Sequence, residues 1–312
     1  MQRVFVFPGQ GSQSVGMLAE LAQRDRVIVD TFAESSGVLG YDLWQLVQQG
    51  PAELLNETER TQPAMLTADI ATWRYWVKLG GRAPDAVCGH SLGEFAALVA
   101  ADVLGFSDAV DLVRQRAQQM QAAVPAGVGA IAAVLGLEDD DVAAACSEAA
   151  QGEVVEPVNF NSPGQAVIAG HATAVQRAMD ACKSRGAKRA VLLPMSVPAH
   201  SSLMQPAAEG FAVALAAASL QAPRFAYWSP VDCQEHGDAE AIRRLLMKQL
   251  TSPVRWTQLI RAMAAAGAST FVECGPGKVL TGLNRRIDKR PEVQYLALQD
   301  GESVQVALDQ IG

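Results

Sequence analysis

The sequence predicts an α/β protein: an α/β-hydrolase-like large domain with a parallel sheet core, interrupted by an inserted ferredoxin-like small subdomain. Three observations lead there. The short runs Val4 to Phe7 and Asp85-Ala86-Val87-Cys88, each followed by glycine, fit strands buried on both faces. Between them Leu66, Ile70, Trp73 and Val77 recur at helical spacing, so strand and helix alternate as in a doubly covered sheet. The pattern then changes to strand 129–137, helix 139–151, strands 154–160 and 165–170, helix 172–185 and strand 188–194, a βαββαβ order. Val175, Ala178, Met179 and Cys182 give the second of those helices an apolar stripe. Afterwards the apolar strands Phe225 to Trp228, Thr270 to Glu273 and Gln294 to Leu298 alternate with helices again. The expected division is a first part of the large domain at 1–126, the small subdomain at 127–195 and a second part of the large domain at 196–312.

Bulk properties narrow the class. A chain of 312 residues with 49% hydrophobic content buries a large core. Its net charge of -8 with 19% charged residues argues against nucleic-acid binding through a broad basic face. The five cysteines, Cys88, Cys146, Cys182, Cys233 and Cys274, are far apart and form no C-x-x-C pair, so neither a disulfide framework nor a zinc site is expected, and a reducing cytoplasm fits. No signal-peptide layout and no apolar stretch of membrane-spanning length is visible, so a soluble cytoplasmic protein is expected.

The sharpest local signal is Gly89-His90-Ser91-Leu92-Gly93, a G-x-S-x-G between a strand and an alanine-rich helix read over Glu94 to Val103. Glycines flank a turn too tight for side chains. The turn lifts the Ser91 hydroxyl to a helix N-terminus, where backbone N–H groups stabilise an oxyanion. A chance match is the competing reading, weakened by the strand–turn–helix context. A serine nucleophile needs a base, and the chain holds only His90, His171, His200 and His236. His90, next to Ser91, is expected to brace the loop rather than act as base. His171 and His236 fit ordinary surface or packing roles. His200 closes an apolar run where the chain re-enters the large domain, at the cleft between the two units. Arg116 lies inside the apolar stripe Val113, Ala117, Met120 and Val124 of a helix read over 107–123. Two readings stand: a structural ion pair or snorkelling side chain, or a bidentate clamp for a substrate carboxylate.

These residues belong to a longer series: FPGQGSQ (7–13), TQPA (61–64), GHSLGE (89–94), Arg116 before Met120-Gln121, NFNSPGQ (159–165), VPAH (197–200), Gln249 before SPVRW, and ECGPGKVLTGL (273–283). Together they resemble the malonyl-CoA:acyl carrier protein transacylases of bacterial fatty acid synthesis, along the whole chain. The resemblance implies a Ser91–His200 dyad, with His200 oriented by the backbone carbonyl of Gln249. It implies an oxyanion hole from the N–H groups of Gln10 and Leu92, Arg116 on the malonyl carboxylate, and Gln62 and Asn161 lining the cleft. It further implies ping-pong transfer without a metal or bound cofactor, coenzyme A serving only as substrate carrier. Ile131 stands where the family's G-A-M-A-A stretch has methionine, a volume-conserving change that bears on pocket shape. Leu92 is the residue expected in malonyl-selective members, whereas VPAH lacks an aromatic residue diagnostic of extender-unit choice. Acyl carrier proteins are acidic, and Lys183, Arg185, Lys188 and Arg189 form one candidate docking patch; Arg285, Arg286, Lys289 and Arg290 form another, a solvated charged face being the alternative for both. A monomer is expected.

Two rival readings make different structural predictions. An esterase or thioesterase would complete a triad from Ser91 with Asp232 and His236. A dinucleotide-binding module would use Gly9-Gln10-Gly11 and Asp30, taking Val27-Ile28-Val29 as a second strand, although Ser14 replaces the third glycine of that fingerprint.

Overall fold

The computed structural model describes residues 2–125, 127–194 and 197–312. Its strands, in chain order, are β1 (Arg3–Phe7), β2 (Ala86–Gly89), β3 (Gly129–Leu135), β4 (Val155–Ser162), β5 (Gln165–His171), β6 (Arg189–Leu192), β7 (Ala226–Trp228), β8 (Glu235–His236), β9 (Thr270–Glu273) and β10 (Gln294–Ala297). They form two sheets. The larger has the order β10-β9-β1-β2-β7-β8, and every pairing in it is parallel except that of β7 with the edge strand β8.

The all-apolar character of β1 follows from its place near the middle of that sheet. Val4 and Val6 face a layer containing Trp256, Leu259, Ile260 and Leu280, while Phe5 and Phe7 face the larger core on the other side. Phe5 meets Trp73 edge-on at a centroid separation of 5.6 Å; a buried phenylalanine contributes roughly 2 kcal/mol through its lost water contact. The long helix Thr58–Lys78 covers this face, with one difference from its sequence pattern. Val77 is 52% exposed, and Trp76 is the residue packed against Phe5. The helix ends one residue later at Lys78, and Val77 lies in its exposed last turn.

The smaller sheet has the order β4-β5-β3-β6 and is antiparallel throughout, the arrangement that a βαββαβ chain gives when both helices cross one face. Helices Asp139–Ala150 and Ala172–Ser184 supply that cover, and Val175, Ala178, Met179 and Cys182 are all buried beneath it. The opposite face, with Ile131, Val158, Val167 and Ala169, turns toward the large sheet. A short ladder joins the two units: the N–H of Val254 donates to the carbonyl of Val158, and the N–H of Phe160 to that of Val254, each at 2.9 Å. The expected segment limits at Ala126 and Met195 fall outside the described residues.

One rival reading fails here and one expected boundary needs correction. Val27-Ile28-Val29 is no strand: it opens the helix Val27–Leu39, whose buried Ile28 and Phe32 lie one turn apart. The dinucleotide reading therefore lacks its second strand. The helix after Ser91 spans Gly93–Ala100 and stops short of Val103, because Asp102 adopts φ 59° and breaks the helical path.

Candidate active site

The loops after β1 and β2 meet at the carboxyl ends of the parallel strands, where open α/β sheets hold their ligands. Their close approach requires glycine. A Cβ on Gly93 would fall 2.1 Å from the Phe7 carbonyl oxygen, and one on Gly89 would fall 2.0 Å from the Gly93 carbonyl carbon. Between them Ser91 adopts φ 54°, a left-handed conformation uncommon outside glycine, held by the helix that follows.

Ser91 Oγ lies 2.7 Å from His200 Nε2. His200 Nδ1 lies 2.8 Å from the Gln249 carbonyl oxygen. A carbonyl only accepts, so Nδ1 carries the proton and Nε2 is left as the acceptor that a serine hydroxyl needs. His200 is itself at φ 67°, in a turn where the Ser201 hydroxyl donates to the Pro198 carbonyl at 2.7 Å. Burial, followed by the nearby Arg116 charge, depresses its pKa to about 3, so the imidazole is neutral at physiological pH.

Arg116 is 1% exposed, one of the largest fully buried side chains. Its Nη1 donates to Gln62 Oε1 at 2.7 Å and its Nη2 to Gln249 Oε1 at 2.8 Å, so both partners are neutral amides. Its Nε has no partner among the described residues. Burial lowers its pKa to about 10, which leaves it charged at neutral pH. The structural ion pair considered from the sequence is absent among the described residues. A buried, incompletely paired guanidinium is a receptor for an anion.

The cavity that contains these groups has a volume of about 170 Å³, and its lining includes Gln10, Gln62, Leu92, Arg116, Asn161 and His200 together with Ser91. Ile131, Asn159, Val167 and Leu193 close it from the small sheet. No described acceptor takes the backbone N–H of Gln10 or Leu92. His90 Nε2 lies 2.8 Å from Asn161 Oδ1, and its ring packs on Trp256, which ties the nucleophile loop to β4. Thus the structure gathers the predicted residues around one cavity, with Gln249 reaching it through Arg116 and His200.

One residue was given no role from the sequence. Glu94, wholly buried at the start of the helix after Ser91, accepts from the Tyr227 hydroxyl, from Ser229 Oγ at 3.1 Å and from Gln249 Nε2. Burial pushes its pKa up to about 7 against those donors and Arg116, which pull it down. An acid in a first helical turn ordinarily complements the helix dipole at the surface. A distinguishing sign is the unbroken apolar sequence Phe95 to Ala101 behind it.

The rival triad does not assemble. His236 Nε2 pairs with Asp232 at 2.9 Å, but at the β8 edge, while the Ser91 hydroxyl is taken by His200. Among the described residues no group of three or more His, Cys, Asp or Glu is placed to hold a metal, and no helix is long and apolar enough to cross a membrane.

A serine on a strand–helix elbow, a neutral histidine on its hydroxyl and a buried cation beyond it define a serine acyltransferase. Residues 4–302 match the acyl transferase domain family. The malonyl CoA-acyl carrier protein transacylase of Salmonella typhimurium is 57% identical over 286 residues, covering 92% of this chain and 93% of that protein. The crystal structure of an acyl carrier protein S-malonyltransferase from Vibrio cholerae superposes with a TM-score of 0.94 at 54% identity, covering 98% of this chain and 99% of that one. A malonyl-transacylase in complex with a type II polyketide synthase acyl-carrier protein superposes at 0.97 with 51% identity, over 99% of both chains. The chain belongs to the malonyl CoA-acyl carrier protein transacylase family.

Proposed function

We propose that the protein transfers malonyl groups from coenzyme A to the phosphopantetheine thiol of acyl carrier protein, for fatty acid synthesis, through an ester on Ser91. The observation that carries this reading is the alignment of the Ser91–His200–Gln249 hydrogen-bond chain with an incompletely paired Arg116 on one cavity. Ser91 Oγ attacks the thioester carbonyl while His200 Nε2 accepts its proton. The N–H groups of Gln10 and Leu92 receive the oxyanion, and collapse expels the coenzyme A sulfur, which takes the proton from His200. The carrier thiol then gives its proton to His200 and attacks the ester, and Ser91 leaves with that proton. Every step is acid–base or acyl transfer, so the residues present supply the whole reaction with no bound cofactor. Arg116 holds the distal malonyl carboxylate, an interaction that acetyl lacks.

The carrier docks on the basic end of the small sheet. Of the four residues there, Lys183 pairs with Asp180 and Arg185 with Glu148, whereas Lys188 and Arg189 are exposed beside the exposed apolar pair Val191 and Leu192 of β6. An acidic carrier complements these two charges, which have no acidic partner among the described residues. Reversal of both charges is expected to slow transfer to the carrier and to spare loading from malonyl-CoA; equal loss in both half-reactions would remove this site.

The decisive experiment is intact-protein mass after brief exposure to malonyl-CoA without carrier. One malonyl adduct that requires Ser91 and disappears on adding phosphopantetheinylated carrier supports the reading. Release of free malonate with no adduct, or an adduct that persists in Ser91→Ala, overturns it.

A further inference from the structure

The Gln249 side chain touches three parts of the site at once. Its Nε2 donates to the Ser91 carbonyl at 2.8 Å and to the Glu94 carboxylate, while its Oε1 accepts from Arg116 Nη2 at 2.8 Å. A side-chain amide carries donors on one end and an acceptor on the other, so these neighbours fix which way it faces. The reverse orientation would set an NH2 against the guanidinium and an oxygen against two oxygens. The Ser91 carbonyl already accepts from the Glu94 backbone N–H at 3.1 Å, which leaves the carboxylate as the stronger anchor.

We infer that Glu94 is a positioning residue for substrate selection: it locks the rotation of the Gln249 amide, and through that amide aims the Arg116 guanidinium at the acyl pocket. This deepens the proposed function and rests on Arg116 binding the malonyl carboxylate. Glu94 touches neither substrate nor cavity. Its carboxylate is held by Tyr227 of β7, the strand beside β2, and by Ser229 just past the end of β7, so the amide is anchored at the sheet. Without Glu94, the amide loses its charged partner and the Arg116 fork loses one of its two supports. Acetyl transfer, which makes no use of the guanidinium, should not register that loss.

The test is the loading rate of the full-length enzyme with malonyl-CoA and, separately, acetyl-CoA, read by intact mass, for wild type, Arg116→Ala, Glu94→Leu, Glu94→Gln, Gln249→Met and the Glu94→Leu/Gln249→Met pair. Glu94→Leu is expected to lower the malonyl-to-acetyl ratio by about 10-fold. Glu94→Gln should keep it within about threefold, because the Tyr227 and Ser229 hydroxyls can turn to accept and leave the new amide oxygen facing Gln249. The double variant should match Gln249→Met alone, since Glu94 acts through that side chain. An equal fall for both acyl groups, or additive losses in the pair, overturns the inference. Should Glu94→Leu fail to fold, Gln249→Met decides: a lowered ratio supports the relay and an unchanged ratio overturns it. An unchanged ratio in Arg116→Ala would instead overturn the carboxylate reading itself, and the inference with it.

Discussion

Ser91 and His200 stand 109 residues apart in sequence and 2.7 Å apart in space, and both hold backbone conformations that side chains seldom adopt. The turns that impose those conformations bring the hydroxyl and the imidazole into line. His200→Ala is therefore expected to reduce malonyl loading by about 10²- to 10⁴-fold with little change in thermal stability. Stopped-quench rates and a melting curve on the same sample check this; a loss below 10-fold would mean that another group takes the serine proton.

The electrostatics of the base give a second expectation. Burial, and after it the Arg116 charge, depresses His200 to about 3, so loading should hold steady well below pH 6.5. The neutral form is favoured in the fold. The associated stability is complete above pH 6.5 and is lost as pH falls from 6.5 toward 3, where only the unfolded chain takes up the proton. In Arg116→Leu the titration of His200, followed by imidazole NMR, should move upward because the larger of the two charge influences that depress it, Arg116 ahead of His90, is gone. An unmoved titration would remove Arg116 from the causes of the depression and leave burial and His90.

Backbone crowding at the elbow gives a third. Gly93→Ala would place a methyl 2.1 Å from the Phe7 carbonyl oxygen, backbone that cannot step aside without opening the β1–β2 pairing. A loss of about 3 kcal/mol or more in denaturant unfolding is expected, with loading lost in whatever fraction folds. A near-neutral midpoint would show that the two loops are less tightly apposed than described.

Asp69 supplies the fourth. It is buried in the helix Thr58–Lys78 and neither carboxyl oxygen has a partner among the described residues. Burial, and next the neighbouring Glu273, holds its pKa well above the usual carboxylate range. A raised carboxyl favours the fold below the unfolded value of 3.8, and that contribution is lost as pH rises toward the folded value. Asp69→Asn should therefore gain on wild type as pH rises above 3.8, by up to about 1.4 kcal/mol per pH unit until the folded carboxyl ionises. A pH-independent difference in unfolding free energy would contradict this.

The legible parts of this protein were those that repeat a local physical pattern. The apolar runs of β1 and β9, the βαββαβ segment and the glycine-flanked serine each follow from spacing and residue type. Arg116 was legible as an anomaly, a charge in an apolar stripe, although only the fold could show that its partners are the amides of Gln62 and Gln249. His200 could not be separated from three other histidines by composition; the family motifs pointed to it, and its distance to Ser91 is a matter of tertiary structure. Glu94 was illegible because an acid in a first helical turn looks like an ordinary dipole partner until its burial is known. Val77 shows the opposite failure, an apolar residue in phase with a buried helical stripe that the structure leaves exposed in the last turn.

The small sheet meets the cavity with Ile131, Asn159, Val167 and Leu193, whereas Ser91, His200 and Arg116 all come from the larger unit. The wall and the machinery are thus carried on separate layers, joined by the short ladder through Val254 and by side-chain bonds such as His90–Asn161. Substitutions on the wall can enlarge or narrow the acyl chamber while the bond-making groups keep their registry. Chain preference is in this sense an evolvable trait, free to drift at positions such as Ile131 without passing through an inactive enzyme.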